Sequence, residues 1–336
     1  MKIKSYAASE KGSRLEPHEF TPGDLADTHV EIKVETCGIC HSDLAMIDNE
    51  FGATQFPLVP GHEIIGTITT VGDHVTALVP GDRVGLGWYA ASCMVCDTCI
   101  GGDHNLCPEV QATLFGRPGG FAESVRCHWA WATKLPDALD SKKAGPLFCG
   151  GITVFNPIVQ SGVRPTDRVG VVGIGGLGHL ALQFLNKWGC EVTAFSSSPE
   201  KADEARSFGA HDVVNSRDES ELEAVAGKFD FILSTVAVDL DWSTYLAALR
   251  PKGKLHTVGI FPSPAEISAF ALIEKQKSFG GSPLGSPATT RKMIEFCTRH
   301  DIAAKTEHYK MSQVNEAIDH LRAGKARYRI VLEADF

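Results

Sequence analysis

Apolar residues in the first half of the chain come in short runs broken by glycine and proline: VEIKVETCG, EIIGTITTVGDHV, GDRVGLGW and GGFAESVRC. Runs of this length between turn formers predict strands, and several at close spacing predict a compact β-rich domain. The pattern changes near residue 150. DRVGVVG reads as a strand, and GGLGHLALQFLNKWG carries helical periodicity. EVTAFS follows as a strand, then PEKADEARSFG as a helix with Pro199 near its first turn. DVVNS, FDFILSTV and KLHTVGI continue as strands, with DESELEAVAG and DWSTYLAALR as the helices between them. Regular alternation of this kind predicts a doubly wound α/β fold, a parallel sheet with helices on both faces. From about Pro287 the chain reads as helix, loop, helix and a last strand, RYRIVLE. That tail does not extend the alternation and is predicted to return to the first domain. The expected division is therefore 1–149, 150–286 and 287–336.

Composition narrows the class. A chain of 336 residues with 43% hydrophobic content has enough apolar material for two buried cores. Its formal net charge of −9 argues against nucleic acid as a partner. The opening MKIKSYAASEKGSRLE lacks the apolar run of a signal peptide, and no stretch approaches the length of a membrane span. A cytoplasmic enzyme with reduced cysteines is the expectation.

Four of the ten cysteines fall within fifteen positions, as Cys93-x-x-Cys96-x-x-Cys99-x7-Cys107. Thiolates close a tetrahedral zinc site when short loops hold four sulfurs about 2.3 Å from the metal. Disulfide pairing is the alternative, and it suits a secreted protein rather than this one. The intervening Asp97, Thr98, Gly101, Gly102, Asp103 and Asn105 are loop formers. They predict a lobe, about 88–110, folded around a structural zinc with no open coordination position.

Between a strand and a helix stands Gly173-Ile-Gly175-Gly176-Leu177-Gly178. A GxGxxG string is weak by itself, but this context is the one a dinucleotide pyrophosphate needs. The first glycine makes the turn, the second lets backbone amides approach the phosphates, and the third packs helix on strand. The next strand ends Ser196-Ser197-Ser198-Pro199-Glu200-Lys201, without the carboxylate at its tip that binds the ribose hydroxyls of NAD. Serine hydroxyls and the Lys201 ammonium suit a 2′-phosphate instead, predicting NADP(H). The serines have an alternative use as caps of the following helix.

Cys40, His62 and Cys149 lie far apart in sequence, and singly each is an ordinary core residue. Together they would make a Cys₂His zinc site whose fourth position stays open, a Lewis acid for carbonyl or alcohol chemistry. Cys37 competes with Cys40 for this role. Glu63 is either a support behind the ligands or an occasional fourth ligand.

The set CGICHSDL, PLVPGHE, the four-cysteine lobe, GIGGLG and RYRIV, in that order, resembles the zinc-dependent medium-chain dehydrogenase/reductase superfamily, in its cinnamyl alcohol dehydrogenase-like group. The resemblance covers nearly the whole chain. It implies a GroES-like catalytic domain built from both ends of the sequence, with a Rossmann domain inserted and the site in the cleft between them. It also implies Cys40 as the ligand, with Cys37 structural. His41 and Arg329 would serve the cofactor phosphates, Ser42 would exchange the substrate proton, and Asp43 would support the site. Members are commonly homodimers. The chain departs from the pattern at Ala45, where many relatives carry a proton-relay histidine. Its implied activity is NADP(H)-linked reduction of aldehydes, aryl or medium aliphatic, reversible to primary alcohols. Reduction of an activated C=C or C=N bond suits the same scaffold, and a cofactor-binding sensor without turnover is the non-enzymatic alternative. Retained Ser42 favours carbonyl chemistry. Trp88 and Tyr89 are candidates to line the substrate pocket, or else pack against the lobe.

Overall fold

The strand His29–Ile39 shows how the pattern becomes structure. Val30, Ile32 and Val34 are buried in alternation, and from Thr36 onward every residue is buried. A half-covered sheet face demands the first pattern, and entry into a packed interior demands the second. This strand organises a seven-stranded sheet in the computed structural model, which describes residues 2–336. Its order runs Thr306–Lys310, Arg329–Glu333, His29–Ile39, Glu63–Val71, Arg83–Leu86 and Thr133–Lys134, with Ser124–His128 also paired to His29–Ile39. The C-terminal strand lies antiparallel to it, with Ile330 opposite Ile39 and Glu333 opposite Thr36.

Packing divides the chain into two units. One comprises residues up to Cys149 together with Gly285–Phe336, and the other is Gly150–Leu284. The second unit is built on six parallel strands, in the order Asp212–Asn215, Glu191–Ser196, Arg168–Val172, Phe229–Ser234, Leu249–Thr257, Ser278–Gly281. Its central strand is buried from Val169 to Val172, as a sheet covered on both faces requires.

Several strands escape the apolar pattern, among them Ile3–Ala8 and Leu15–Phe20 near the start of the chain. Thr306–Lys310, TEHYK, is a half-exposed strand where the apolar pattern predicts loop. It forms because its backbone pairs in parallel with Arg329–Glu333, which its side chains do not signal. Ser278–Gly281, SFGG, is likewise a mostly exposed edge strand. No helix among the described residues is long and apolar enough to cross a membrane.

Candidate functional site

Where His29–Ile39 ends, Cys40 keeps extended backbone and serves as N-cap of the helix His41–Ile47. Asp43, fully buried, reaches back and its Oδ2 accepts from the Cys40 amide at 2.9 Å. Its Oδ1 accepts from the Gly61 amide at 2.9 Å and lies 3.0 Å from His62 Nδ1. One carboxylate thus ties together two segments that carry candidate ligands. Gly61 has φ +102°, and a Cβ there would strike Phe121 and the Cys37 sulfur, so only glycine permits this turn.

With Nδ1 held by Asp43, His62 directs Nε2 toward Cys149 Sγ, 3.3 Å away. Cys149 Sγ is 3.8 Å from Cys40 Sγ, which is itself 3.8 Å from Ser42 Oγ. Ligand atoms of Cys40, His62, Glu63 and Cys149 all lie within 4.8 Å of one another. Sulfurs about 3.8 Å apart match a tetrahedral ion bonded at 2.3 Å, so this donor set fits zinc. Cys37 is not part of it. Its thiol donates to the Gly38 carbonyl, and burial, with the Asp43 charge adding, raises its pKa well above the usual range.

Protonation in the metal-free group follows from its contacts. The hydrogen bond with Cys149 leads in holding Cys40 well below the ordinary thiol range, with Arg329 and His62 adding. That same bond, reinforced by burial, pushes Cys149 well up. Burial opposes charge on His62, but Asp43 and the Cys40 sulfur outweigh it and raise its pKa to about 9. A divalent ion seated here would displace protons from Cys149 and His62.

Glu63 Oε1 accepts from Arg329 Nη2, with both side chains buried. Glu63 Oε2 and Arg329 Nε remain buried without partners. An orphaned carboxylate oxygen in a cluster of thiols and imidazole is a further mark of a cation site. Trp88 stands edge-on to the His62 ring, centroids 4.9 Å apart. Tyr89 faces elsewhere, against Trp131 at 5.5 Å. His41 is exposed at the start of its helix.

The four lobe cysteines form a second group. Cys93 Sγ is 3.9 Å from Cys99 and 3.5 Å from Cys107, and Cys96 is 3.9 Å from Cys107. All four lie within 4.8 Å of one another, and all ten cysteines of the chain are free. Cys96 caps a short helix, Asp97–Ile100, in what the sequence suggested was loop. Backbone N–H groups of Val95 and Cys96 lower the Cys93 pKa to about 7, favouring the thiolate that a metal takes up.

In the second unit, Gly173 turns with φ +87° and Gly175 faces open space. A Cβ on Gly178 would meet the Gly173 carbonyl, so the helix Gly178–Trp188 starts tight against the turn. Thr235 Oγ1 braces it, donating to the carbonyls of Val172 and Gly173 at 3.0 and 2.9 Å. In FDFILSTV the only signal for this threonine is its position just past a strand end. Ser196 Oγ accepts from the Ser198 amide and donates to its carbonyl, both at 3.1 Å, so it closes the strand-end turn. The helix Ala202–Ser207 has Lys201 as N-cap and no side-chain cap bond. Ser197 is exposed, with Lys201 partly so.

Comparison with known proteins adds two family matches. Residues 26–137 match the alcohol dehydrogenase GroES-like domain, and residues 176–299 match the zinc-binding dehydrogenase domain. An aldehyde reductase from Synechocystis sp. is 49% identical, over 98% of each chain. A cinnamyl alcohol dehydrogenase structure from Sorghum bicolor has TM-score 0.94 at 36% identity, covering 99% of this chain and 98% of that one. A cinnamyl alcohol dehydrogenase from Helicobacter pylori, solved with NADP(H), has TM-score 0.90 at 29% identity, with 99% and 98% covered.

Proposed function

The chain belongs to the zinc-dependent medium-chain dehydrogenase/reductase superfamily, in its cinnamyl alcohol dehydrogenase-like group, and from that premise we propose that it interconverts aldehydes and primary alcohols with NADP(H). The observation that carries the reading is the Cys40–His62–Cys149 group with the Ser42 hydroxyl 3.8 Å from Cys40 Sγ. When bound, zinc supplies Lewis acidity toward an oxygen and the nicotinamide supplies hydride. Cys40, His62 and Cys149 hold the metal, while Asp43 fixes the His62 ring so that Nε2 is the ligand atom. Glu63, paired with Arg329, brings a carboxylate to the group's edge as support or as an occasional ligand. Ser42 gives its proton to the oxygen of a reduced carbonyl and recovers it in the reverse direction. Trp88, beside His62, limits the substrate side with an aromatic wall suited to aryl or medium aliphatic chains. Cys93, Cys96, Cys99 and Cys107 hold a second, structural zinc.

On the cofactor side, Gly173, Gly175, Gly176, Leu177 and Gly178 receive the pyrophosphate, with His41 and Arg329 as further phosphate contacts. Ser197, Ser198 and Lys201 select the 2′-phosphate, on a turn that Ser196 closes with its own hydroxyl. Absence of a carboxylate at that strand end, and likeness to a relative bound to NADP(H), support this choice. A homodimer is supported by the edge strand Ser278–Gly281 and by Ile260, Phe270 and Ile273, each at least 70% exposed in the same unit. Ten free thiols support a reducing, cytoplasmic setting.

The test is NADPH consumption with benzaldehyde or cinnamaldehyde, before and after removal of metal by a chelator. Turnover that disappears with the metal, and that Ser42→Ala lowers by about 10²-fold or more with zinc retained, supports the reading. Turnover of an activated alkene but of no aldehyde overturns it.

A further inference from the structure

The first unit holds a cavity of about 790 Å³ that includes none of the clustered metal-ligand residues. That volume is in the range of small-molecule sites. Ile3, Phe20, Tyr89, Val110, Phe115 and Val125 give it apolar walls. It lies behind the Trp88–Tyr89 pair, since Trp88 packs on His62 whereas Tyr89 lines the cavity.

Two arginines open on this space, and their charges are handled differently. Arg126 is compensated: its Nε donates to Glu31 Oε2 at 2.7 Å, and its Nη1 donates to the Pro22 and Gly23 carbonyls at 3.2 and 2.9 Å. Arg117 has no carboxylate partner among the described residues, and its Nη2 donates to the backbone carbonyl of Arg126. The Cys127 thiol that interacts with it supplies no counter-charge, because burial pushes that thiol up to about 12. His29 adds none either, since burial, then Arg117 and Arg126, lower its pKa. Burial of Arg117 itself works against its charge. An uncompensated, partly desolvated guanidinium in an apolar cavity is expensive unless an anion completes it.

We propose that this cavity is a binding site for an aryl monocarboxylate, its ring among Phe20, Tyr89 and Phe115 and its carboxylate on Arg117. The guanidinium fork matches a carboxylate in two parallel hydrogen bonds, and the aromatic walls match a flat apolar body. A dianionic or polyphosphate ligand is disfavoured, because only one charge is left open. The site does not depend on the reaction proposed above.

Calorimetric titration of the zinc-loaded, NADP⁺-saturated full chain with cinnamate tests it. Arg117→Gln should weaken cinnamate binding by about tenfold or more, and Arg117→Lys should recover part of the loss. Aldehyde kcat/KM should stay within about twofold of the unmutated enzyme, which separates this site from the catalytic one. Cinnamamide, of equal shape but uncharged, should bind the unmutated protein at least about tenfold more weakly. The proposal is overturned by no cinnamate binding up to about 10 mM. Equal cinnamate affinity in Arg117→Gln, or equal affinity for cinnamamide, overturns it as well.

Discussion

Asp43 is the residue on which the candidate site turns, because its two oxygens serve three groups from two segments. Asp43→Asn keeps the shape but loses an acceptor and the charge that raises the His62 pKa. Groups that orient a metal-bound histidine typically contribute 10–100-fold to metal affinity. Asp43→Asn should therefore retain its lobe zinc but release the other to chelator about 10–100-fold more readily, as metal analysis after competition would measure. Ala45 carries a second prediction. It follows Ser42 by three positions on His41–Ile47 and is buried, so it offers no proton route of its own. Ala45→His should speed alcohol oxidation below about pH 8 and alter aldehyde reduction less, because an imidazole titrating near neutrality begins to act as base there. An unchanged pH profile, with hydride transfer shown to limit the rate, would remove the relay idea.

Two local elements separate stability from chemistry. The lobe places its four cysteines on short segments, and beyond a few buried residues little apolar surface holds it together. Val95 and Ile100 are 74% and 77% exposed. A closed thiolate site then contributes directly to folding. Cys99→Ser should lose one zinc and lower the thermal midpoint, whereas His62→Ala should lose the other zinc and activity while keeping the fold. One zinc in fully active protein would sink that division. At the Glu191–Ser196 strand end, Ser196 spends its hydroxyl on its own turn, leaving Lys201 as the charge available to a phosphate. A charge-assisted contact is worth about 1.5–3 kcal/mol, so Lys201→Ala should reduce NADPH-over-NADH selectivity by about one to two orders of magnitude. Steady-state kcat/KM for both cofactors checks it.

At the scale of the whole molecule, the homodimer proposed above would cover the exposed Phe270 and Ile273, on the helix Ala269–Ile273. Phe270→Glu should shift the protein from dimer to monomer in sedimentation, because a carboxylate cannot be buried there unpaired. An unchanged sedimentation coefficient for a dimeric parent would place the interface elsewhere.

The amino-acid sequence alone carried the apolar alternation of the core strands, the β-α rhythm after residue 150, and every residue whose chemistry is local in the chain. The glycine loop and the lobe cysteines are of that kind, since spacing along a few turns already limits where their atoms lie. Contacts made across the sequence were decided only by tertiary structure. Cys40 rather than Cys37 joins the ligand group because Cys37 turns its thiol to the Gly38 carbonyl. Consecutive Trp88 and Tyr89 part to opposite sides, one to His62 and the other to the Arg117 cavity. TEHYK becomes a strand through its neighbour's backbone, which no side-chain pattern encodes. Glu63 and Arg329, 266 positions apart, meet in a buried ion pair because the last strand returns beside His29–Ile39. Periodicity records which face of an element is covered, whereas register and burial fix which group completes another.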